Sequence, residues 1–340
     1  MFALQNLENS FTDRWHLYFK KHGIEYSNIN IFDSSVLTEI VDQKINRILF
    51  DLNLYEMKNL FAAHAIVPAI ESLGVNIFPG SKELRHFDDK VAQKYLFESL
   101  GVPFCHTNVF YDRDLARVWA RNTEFPKIFK LKCGAGSSNV VIVKTPAHAE
   151  RLIDQMFGKG ISAVPKLFSD LSAKVVRHRK KRDWDATLRR LPTTLRNIVE
   201  MYRSVPRERG YIYFQEFIPF NNFDTRITVI GDRAFGFRRM VRKGDFRASG
   251  SGKIDWTIEM IDPEFIRLAF EVSAKMKARC MAYDLIYGLD GKPVVIECCY
   301  KFDPGAVHAC PGYWDRTLNF HLGHFYPQDL IAEDMVSAKV

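Results

Sequence analysis

Apolar positions along the chain follow two spacings, and the change of spacing marks its elements. Residues 46–54 (NRILFDLNL) hold apolar side chains close together, the mark of a buried strand. Residues 58–73 follow with Leu60, Phe61, His64, Ile66, Val67 and Ile70 at helical spacing, and Gly74 stands where a C-terminal cap belongs. A short strand over 75–78 and a Pro79-Gly80 turn complete the unit. Strand, helix and strand in this order predict a βαβ-like unit.

Beyond it, residues 88–100 are predicted helical and stop at Gly101. A short strand over 109–111 and a helix over 115–121 come next, then the segment FPKIFKLK running into CGAGSS. Residues 139–144 (NVVIVK) are β-branched and predict a strand; 146–157 predict a helix with proline in its first turn. Residues 159–210 combine basic and aromatic side chains without a strand pattern and read as a helical insertion. Strands are predicted over 211–218, 225–230 and 233–241, and an amphipathic helix over 263–278. Two further strands, 281–287 and 293–298, are joined by the hairpin-like turn LDGK. The tail from Pro311 mixes aromatics with helix, and Trp314 and Phe320 are expected to pack as core.

Composition agrees with an α/β (α+β) globular protein. The 340 residues are 47% hydrophobic, enough for a sizeable core in two or three lobes. Residues 1–20 are polar and mixed, unlike a secretory signal, and no apolar run approaches the roughly 18–20 residues of a membrane helix. The cysteines at 105, 133, 280, 298, 299 and 310 lack zinc-ribbon spacing, so reduced thiols in cytoplasm are expected. Adjacent Cys298 and Cys299 on a strand point to opposite faces, against a simple disulfide. Net charge is +8, and residues 174–190 hold eight Lys or Arg against two Asp. Two readings of that run stand: a solvated helix face, or a face for anionic partners such as nucleotides, nucleic acid, glycans or lipids. It lacks interleaved aromatics on a recognisable nucleic-acid module, so no nucleic-acid partner is expected.

Candidate chemistry lies in the middle and C-terminal parts. Lys130 and Lys132 precede Gly134, Gly136, Ser137 and Ser138; glycines let backbone N–H groups approach a phosphate, and hydroxyls add donors. The lysines come before the glycines, unlike a Walker loop. Asp284 and Glu297 lie on strands joined by a short turn, so their carboxylates are expected on one side. A Mg²⁺ shared with nucleotide phosphates would relieve their repulsion. Arg226, Arg238, Arg239, Arg242 and Arg247 crowd the intervening strands and suit a polyanion, and residues 245–252 form a second Gly/Ser-rich loop beside them. In FQEFIP, an acceptor beside exposed strand backbone suits an adenine edge. His308, Cys310, His321 and His324 match no common zinc-site spacing and read as packing or substrate contacts.

In order, Asp89-Lys90, FPKIFK with its Gly/Ser loop, QEFI, DTRITVIGDRAFGFRRMVR, DFRASGSG, YDLIY and IECCY resemble the ATP-grasp superfamily, in the manner of RimK-type and glutathione-synthetase-like carboxylate–amine ligases. The resemblance spans about residues 88–305. It implies an ATP-grasp fold: two α+β subdomains clasping ATP, behind a small α/β pre-ATP-grasp domain over 1–87. The subdomains would be 88–216, with a basic helical insertion at about 159–210, and 217–340, with the metal and phosphate site. Lys90 and Lys130 would hold the ATP phosphates, and Gly134, Gly136, Ser137 and Ser138 would close over them. Gln215, Glu216, Phe217 and Ile218 would line the adenine site. Arg226 and Arg239 would face the phosphates and the activated carboxylate. Arg247 stands at the arginine of the DFR-x-N motif of RimK-type ligases. Asp284 and Glu297 match the Mg²⁺ ligands.

The chain departs from the family pattern at two places. Glu-x-Asn is Glu297-Cys298-Cys299 here, and the asparagine of DFR-x-N is Ser249. A thiol is a poor Mg²⁺ ligand, which leaves a second Mg²⁺ open. The implied activity is ATP-dependent joining of a small-molecule carboxylate to an amine through an acyl phosphate. The alternatives are an ATP-grasp phosphotransferase and a non-catalytic ATP-binding protein. The stretch YKFDPGAVHACPGYWD resembles ATP-grasp proteins of bacterial surface-polysaccharide clusters, which implies a sugar-linked acid or an amino acid as substrate. A homodimer is the default assembly.

Overall fold

The computed structural model describes residues 1–7, 10–52, 57–134, 139–162, 207–242, 247–248 and 252–338. The chain opens with β1 (Phe2–Gln5), α1 (Phe11–Lys21), β2 (Tyr26–Ile29), α2 (Val36–Asp42), β3 (Arg47–Leu49), α3 (Met57–Ser72) and β4 (Asn76–Phe78). The four strands form one parallel sheet in the order β2-β1-β3-β4. Every residue of β1 is buried, as the central strand of a covered parallel sheet requires. The Ser10 side chain caps α1, accepting from Thr12 N at 3.1 Å, and Phe11, Trp15 and Phe19 turn one face of that helix into the core. The first four of these elements were not anticipated from the sequence: the two strands have four residues each, too few positions for alternation to show. In α3 the buried row is Ala63, Val67 and Ile70, whereas Phe61, expected on the apolar face, is 80% exposed. Positions 63, 67 and 70 repeat at i, i+4 and i+7, and Phe61 lies off that stripe.

The second unit comprises α4 (Ser81–Leu84), α5 (Lys90–Ser99), β5 (Thr107–Phe110), α6 (Arg113–Asn122), β6 (Lys127–Lys130), β7 (Val140–Val143), α7 (Pro146–Phe157), β8 (Ile161–Ser162), β9 (Arg207–Glu208) and β10 (Ile212–Glu216). An antiparallel sheet runs β5-β10-β6-β7. Helices α6 and α7 cover one face, with Ala116, Ala120, Ala149 and Ile153 packed on Phe129 and Phe214. The edges of the expected helical insertion are not helical: Ile161–Ser162 pairs antiparallel with Arg207–Glu208. The body of that insertion, with the basic run, lies outside the described residues.

The third unit contains β11 (Phe223–Ile230), β12 (Arg233–Met240), β13 (Ile254–Asp255), α8 (Pro263–Met276), β14 (Cys280–Tyr287), β15 (Pro293–Cys299), α9 (Pro304–His308), β16 (Gly312–Trp314), β17 (Phe320–Leu322) and α10 (Pro327–Ser337). Its sheet runs β15-β14-β11-β12-β16-β17, with β13 beside β12. Helix α8 starts at Pro263 behind an Asp262 cap and buries Phe265, Ile266, Ala269 and Val272 in a core continuous with that of the first sheet. In the tail, buried Trp314 meets half-buried Phe320 edge-on at 4.9 Å. Among the described residues, no helix is long and apolar enough to cross a membrane.

Candidate active site

Strand register gathers charges onto one face of the third sheet. Asp224 stands opposite Arg239, Arg226 opposite Asp284, and Asp284 opposite Glu297. Side chains of directly paired residues share a face, as do residues two apart on one strand, so these five project together. Arg226 donates to both Asp284 oxygens, Nε to Oδ1 at 2.7 Å and Nη2 to Oδ2 at 2.9 Å. Arg239 makes the same fork with Asp224, at 2.6 and 2.7 Å, and its Nη2 also donates to Asp284 Oδ2 at 2.7 Å. Burial pushes the Asp284 carboxyl up, but Arg226 and Arg239 outweigh it and hold the group well below the usual carboxylate range. Burial likewise works against the charge of Arg239, and Asp284 and Asp224 raise its pKa regardless. Arg238, one residue away, points to the opposite face and pairs with Asp255. The density of arginines in the sequence therefore resolves into two sides.

Opposite this face stand two lysines. Lys130 ends β6, is 6% exposed, and donates to Gln215 Oε1 at 2.6 Å. Gln215 is itself held by Nε2 donation to Thr107 Oγ1 at 3.2 Å and Tyr213 OH at 3.1 Å. Burial, reinforced by Lys90 and opposed by Glu297, lowers the Lys130 pKa to about 8. Lys90 begins α5 behind its Asp89 cap and is 5% exposed. Its Nζ lies 3.3 Å from Glu297 Oε1 and donates to Gly134 O at 2.9 Å. Burial opposes its charge, but Glu297 and Asp88 outweigh burial and raise its pKa. Lys90 thereby joins the third sheet to the root of the Gly/Ser loop.

That root is pinned by two carboxylates. Gly134 N donates to Asp88 Oδ1 at 2.8 Å, while Lys132 N and Cys133 N donate to Glu208 at 2.8 and 3.1 Å. Tyr211 OH donates to Glu208 and accepts from Lys132 N. Gly134 has φ +115°, and a Cβ there would collide with the Asn139 side chain, so glycine is required. Burial pushes the Asp88 carboxyl up to about 6, against the pull of Lys90 and the Gly134 N–H.

The structure thus brings together Lys90, Lys130, Gly134, Gln215, Arg226, Arg239, Asp284 and Glu297. Gly136, Ser137 and Ser138 lie outside the described residues. Gln215 turns its side chain to Lys130, and Glu216 pairs with Lys127 at 2.6 Å. The backbone N–H of Glu216 donates to His106 O at 2.9 Å. Arg247 is half-buried and Arg242 exposed, beyond the end of β12. Cys299 Sγ donates to Lys301 O at 2.8 Å. All six cysteines are free thiols. His308 Nδ1 and His324 Nδ1 lie 3.2 and 3.0 Å from the backbone oxygens of Phe325 and His308; His321 Nε2 lies 2.8 Å from Asp315. Each of these histidines is occupied with local packing.

Asp88, Asp224, Glu208 and Tyr211 were missed in the sequence. Asp224 was legible, since it sits two residues before Arg226 and directly ahead of a predicted strand. Glu208 carried no signal, because its partner is set by the fold. Among the described residues, no cluster of three or more His, Cys, Asp or Glu side chains could hold a metal ion unaided. Asp284 keeps one acceptor position on Oδ1 after its three arginine contacts, and Glu297 has only the Lys90 contact. Two carboxylates of this kind suit a Mg²⁺ carried largely by nucleotide phosphates, not an all-protein cage.

Comparison with known proteins supplies the family and the fold. Residues 130–300, half of the chain, match the family model described as a RimK-like ATP-grasp domain. Among solved structures, a RimK domain ATP-grasp protein from Sphaerobacter thermophilus is 14% identical, with a TM-score of 0.54 over 99% of this chain and all of that one. The D-cycloserine synthetase DcsG is 15% identical, with a TM-score of 0.55 over 98% and 99% of the two chains. The biotin carboxylase domain of Hydrogenobacter thermophilus 2-oxoglutarate carboxylase, solved with MgADP and bicarbonate, is 12% identical. Its TM-score is 0.60 over all of this chain and 70% of its own. At these identities the likenesses show the fold. No curated protein matches the chain.

Proposed function

The chain belongs to the RimK-like ATP-grasp family, and from that premise we propose that it is an ADP-forming ligase that joins a small-molecule carboxylate to an amine. The observation that carries the reading is the meeting of Lys90 and Lys130 with Glu297, Asp284 and Arg226, contributed by α5, β6, β15, β14 and β11. Two nearly buried lysines facing two carboxylates is the charge pattern of a site that takes a polyphosphate with its cation. Glu297 and the remaining acceptor position of Asp284 would hold Mg²⁺ beside the ATP phosphates, where it neutralises their charge. Residues 215–218 would line the adenine side of the nucleotide.

In the first step a substrate carboxylate oxygen attacks the γ-phosphorus, the bond to the ADP oxygen breaks, and an acyl phosphate forms. In the second, the amine nitrogen attacks the acyl carbon, phosphate leaves, and the nitrogen loses a proton. Lys90 and Lys130 counter the charge of the transferred phosphoryl group; Arg239 or Arg247 would stabilise the oxyanion and the departing phosphate. Catalysis of this kind is positioning and electrostatics supplied by fixed donors. Those donors are fixed here: Lys130 by Gln215, Lys90 by Gly134 and Glu297, and Arg226 and Arg239 by their aspartates.

The test is ADP release from Mg-ATP against pools of carboxylates and amines, followed by mass spectrometry. A product one water lighter than the summed substrates is expected. A product that carries the phosphate, formed without an amine, would replace the ligase with a phosphotransferase.

A further inference from the structure

A second polar cavity lies in the N-terminal unit, away from the lysines and arginines of the cleft. In the order β2-β1-β3-β4 the chain leaves β1 toward β2 on one side and returns to place β3 on the other. Loops leaving the carboxyl ends of β1 and β3 therefore diverge, which opens a crevice at the switch point of a parallel sheet. A cavity of about 560 Å³ occupies that place. Gln5 and Asn6 reach it from β1, Asn28 and Asn30 from the end of β2, and Asn59 from α3.

The lining is chemically specific. Among the described residues five carboxamides converge on it, and the one ionisable lining residue, Asp51, is already satisfied. Asp51 Oδ1 accepts from Lys301 Nζ and Leu52 N, each at 2.8 Å, and Oδ2 accepts from Phe11 N at 3.1 Å. A charged ligand would meet no free countercharge among these described residues. An apolar ligand would strand the buried Gln5 amide. Gln5, 5% exposed, accepts from Asp51 N at 3.0 Å through Oε1; among the described residues its Nε2 has no protein acceptor. Carboxamides donate and accept side by side, as vicinal hydroxyls do, and Phe32 with Ile29 offers an apolar wall to a ring face.

We propose that this cavity binds an uncharged polyhydroxylated group, of the size of one or two pyranose rings. Lys301, which ties Asp51 to the third unit, follows Glu297 by four residues, so at most about 14 Å of chain separates them. The cavity thus holds the remote, neutral part of a substrate whose reacting end lies in the cleft; that role, unlike the binding itself, rests on the ligase reading.

Saturation-transfer NMR on the full chain tests the binding, with the methyl glycosides of D-glucose, D-galactose, D-mannose and N-acetyl-D-glucosamine as probes, and D-glucuronate and L-glutamine as contrasts. Transfer to at least one neutral glycoside is expected, and Asn6→Leu/Asn28→Leu weakens it roughly tenfold or more. Affinity for a fluorescent ATP analogue is retained in that variant and certifies its fold. Asn28→Ala, at an exposed position, repeats the measurement if the double variant unfolds. No transfer to any neutral glycoside, transfer undiminished in the variants, or preference for glucuronate or glutamine overturns the inference. A protein that binds glycoside and Mg-ATP but forms no amide overturns the ligase and leaves the cavity standing; one that ligates yet binds no glycoside does the reverse.

Discussion

Replacing Arg239 with methionine separates two arginines that are adjacent in sequence and opposite in space. Arg239 is 8% exposed and the shared partner of Asp224 and Asp284. Its loss leaves Asp224 buried without its cation, whereas Asp284 keeps the fork with Arg226. Removing one partner of a buried pair costs about 3–5 kcal/mol, most of it from the stranded charge. Unfolding entropy of about 2.1 cal/mol/K per residue gives roughly 0.7 kcal/mol/K for this chain. The melting temperature of Arg239→Met should therefore fall by about 4–7 °C in calorimetry at pH 7.5. Arg238→Met removes a half-exposed pair with Asp255, worth about 1 kcal/mol or less, and should lower it by only about 1–2 °C. The double variant Asp224→Leu/Arg239→Met removes both charges and should recover more than half of the loss, because a buried pair replaced by apolar side chains is close to neutral. Equal losses for Arg239→Met and Arg238→Met, or no recovery in the double variant, would refute the one-sided network.

Three other outcomes follow from the cleft. Lys130, at about pH 8 instead of the ordinary lysine value of about 10.4, is charged below pH 8 in the free protein. Mg-ATP affinity should hold below pH 8 and fall by up to about tenfold per unit above it, while Lys130→Met gives a flat, weaker profile; a flat profile for the parent protein contradicts the assignment. Asp88, with a folded pKa of about 6 against an ordinary value near 3.9, makes the folded state bind its proton more tightly than the unfolded state. Stability should therefore rise as pH falls from 6 to 4, and the ionised group costs about 1–3 kcal/mol above pH 6. Asn tolerates the left-handed backbone at this position (φ +50°) and still accepts from Gly134 N, so Asp88→Asn should raise the melting temperature at pH 7.5, with the gain shrinking through pH 6. A lower melting temperature at pH 7.5 speaks against it. Glu297→Gln should cut ADP release by at least about 100-fold with the melting transition still cooperative; near-normal turnover would mean that the site is misplaced.

The long elements were legible because their periodicities run for several turns or pairs. Helices over 146–157 and 263–278 and the strands that carry Arg226, Arg239, Asp284 and Glu297 emerge close to their predicted bounds. The opening β1, α1, β2 and α2 did not, since the four-residue strands show no alternation and gain their identity from neighbours. In the tail, β16 and β17 are likewise three residues each, held by pairing with one another and with β12.

Which residue types are candidates for the chemistry was legible in the sequence alone: lysines before a glycine-rich loop, arginines on consecutive strands, and a carboxylate on each strand of a hairpin. Their order along the chain also sufficed to single out the family. Only the tertiary structure decided which of them meet. Strand alternation makes Arg238 and Arg239 equivalent in composition and opposite in direction, and register alone sets Asp224 under Arg239 and Asp284 beside Glu297. It likewise took the fold to turn Gln215 from an adenine contact into the support of Lys130, and to bring Asp88 and Glu208 to the loop root. Hydrogen bonds between residues 46 to 85 positions apart depend on how sheets stack, and a linear pattern holds no record of that distance.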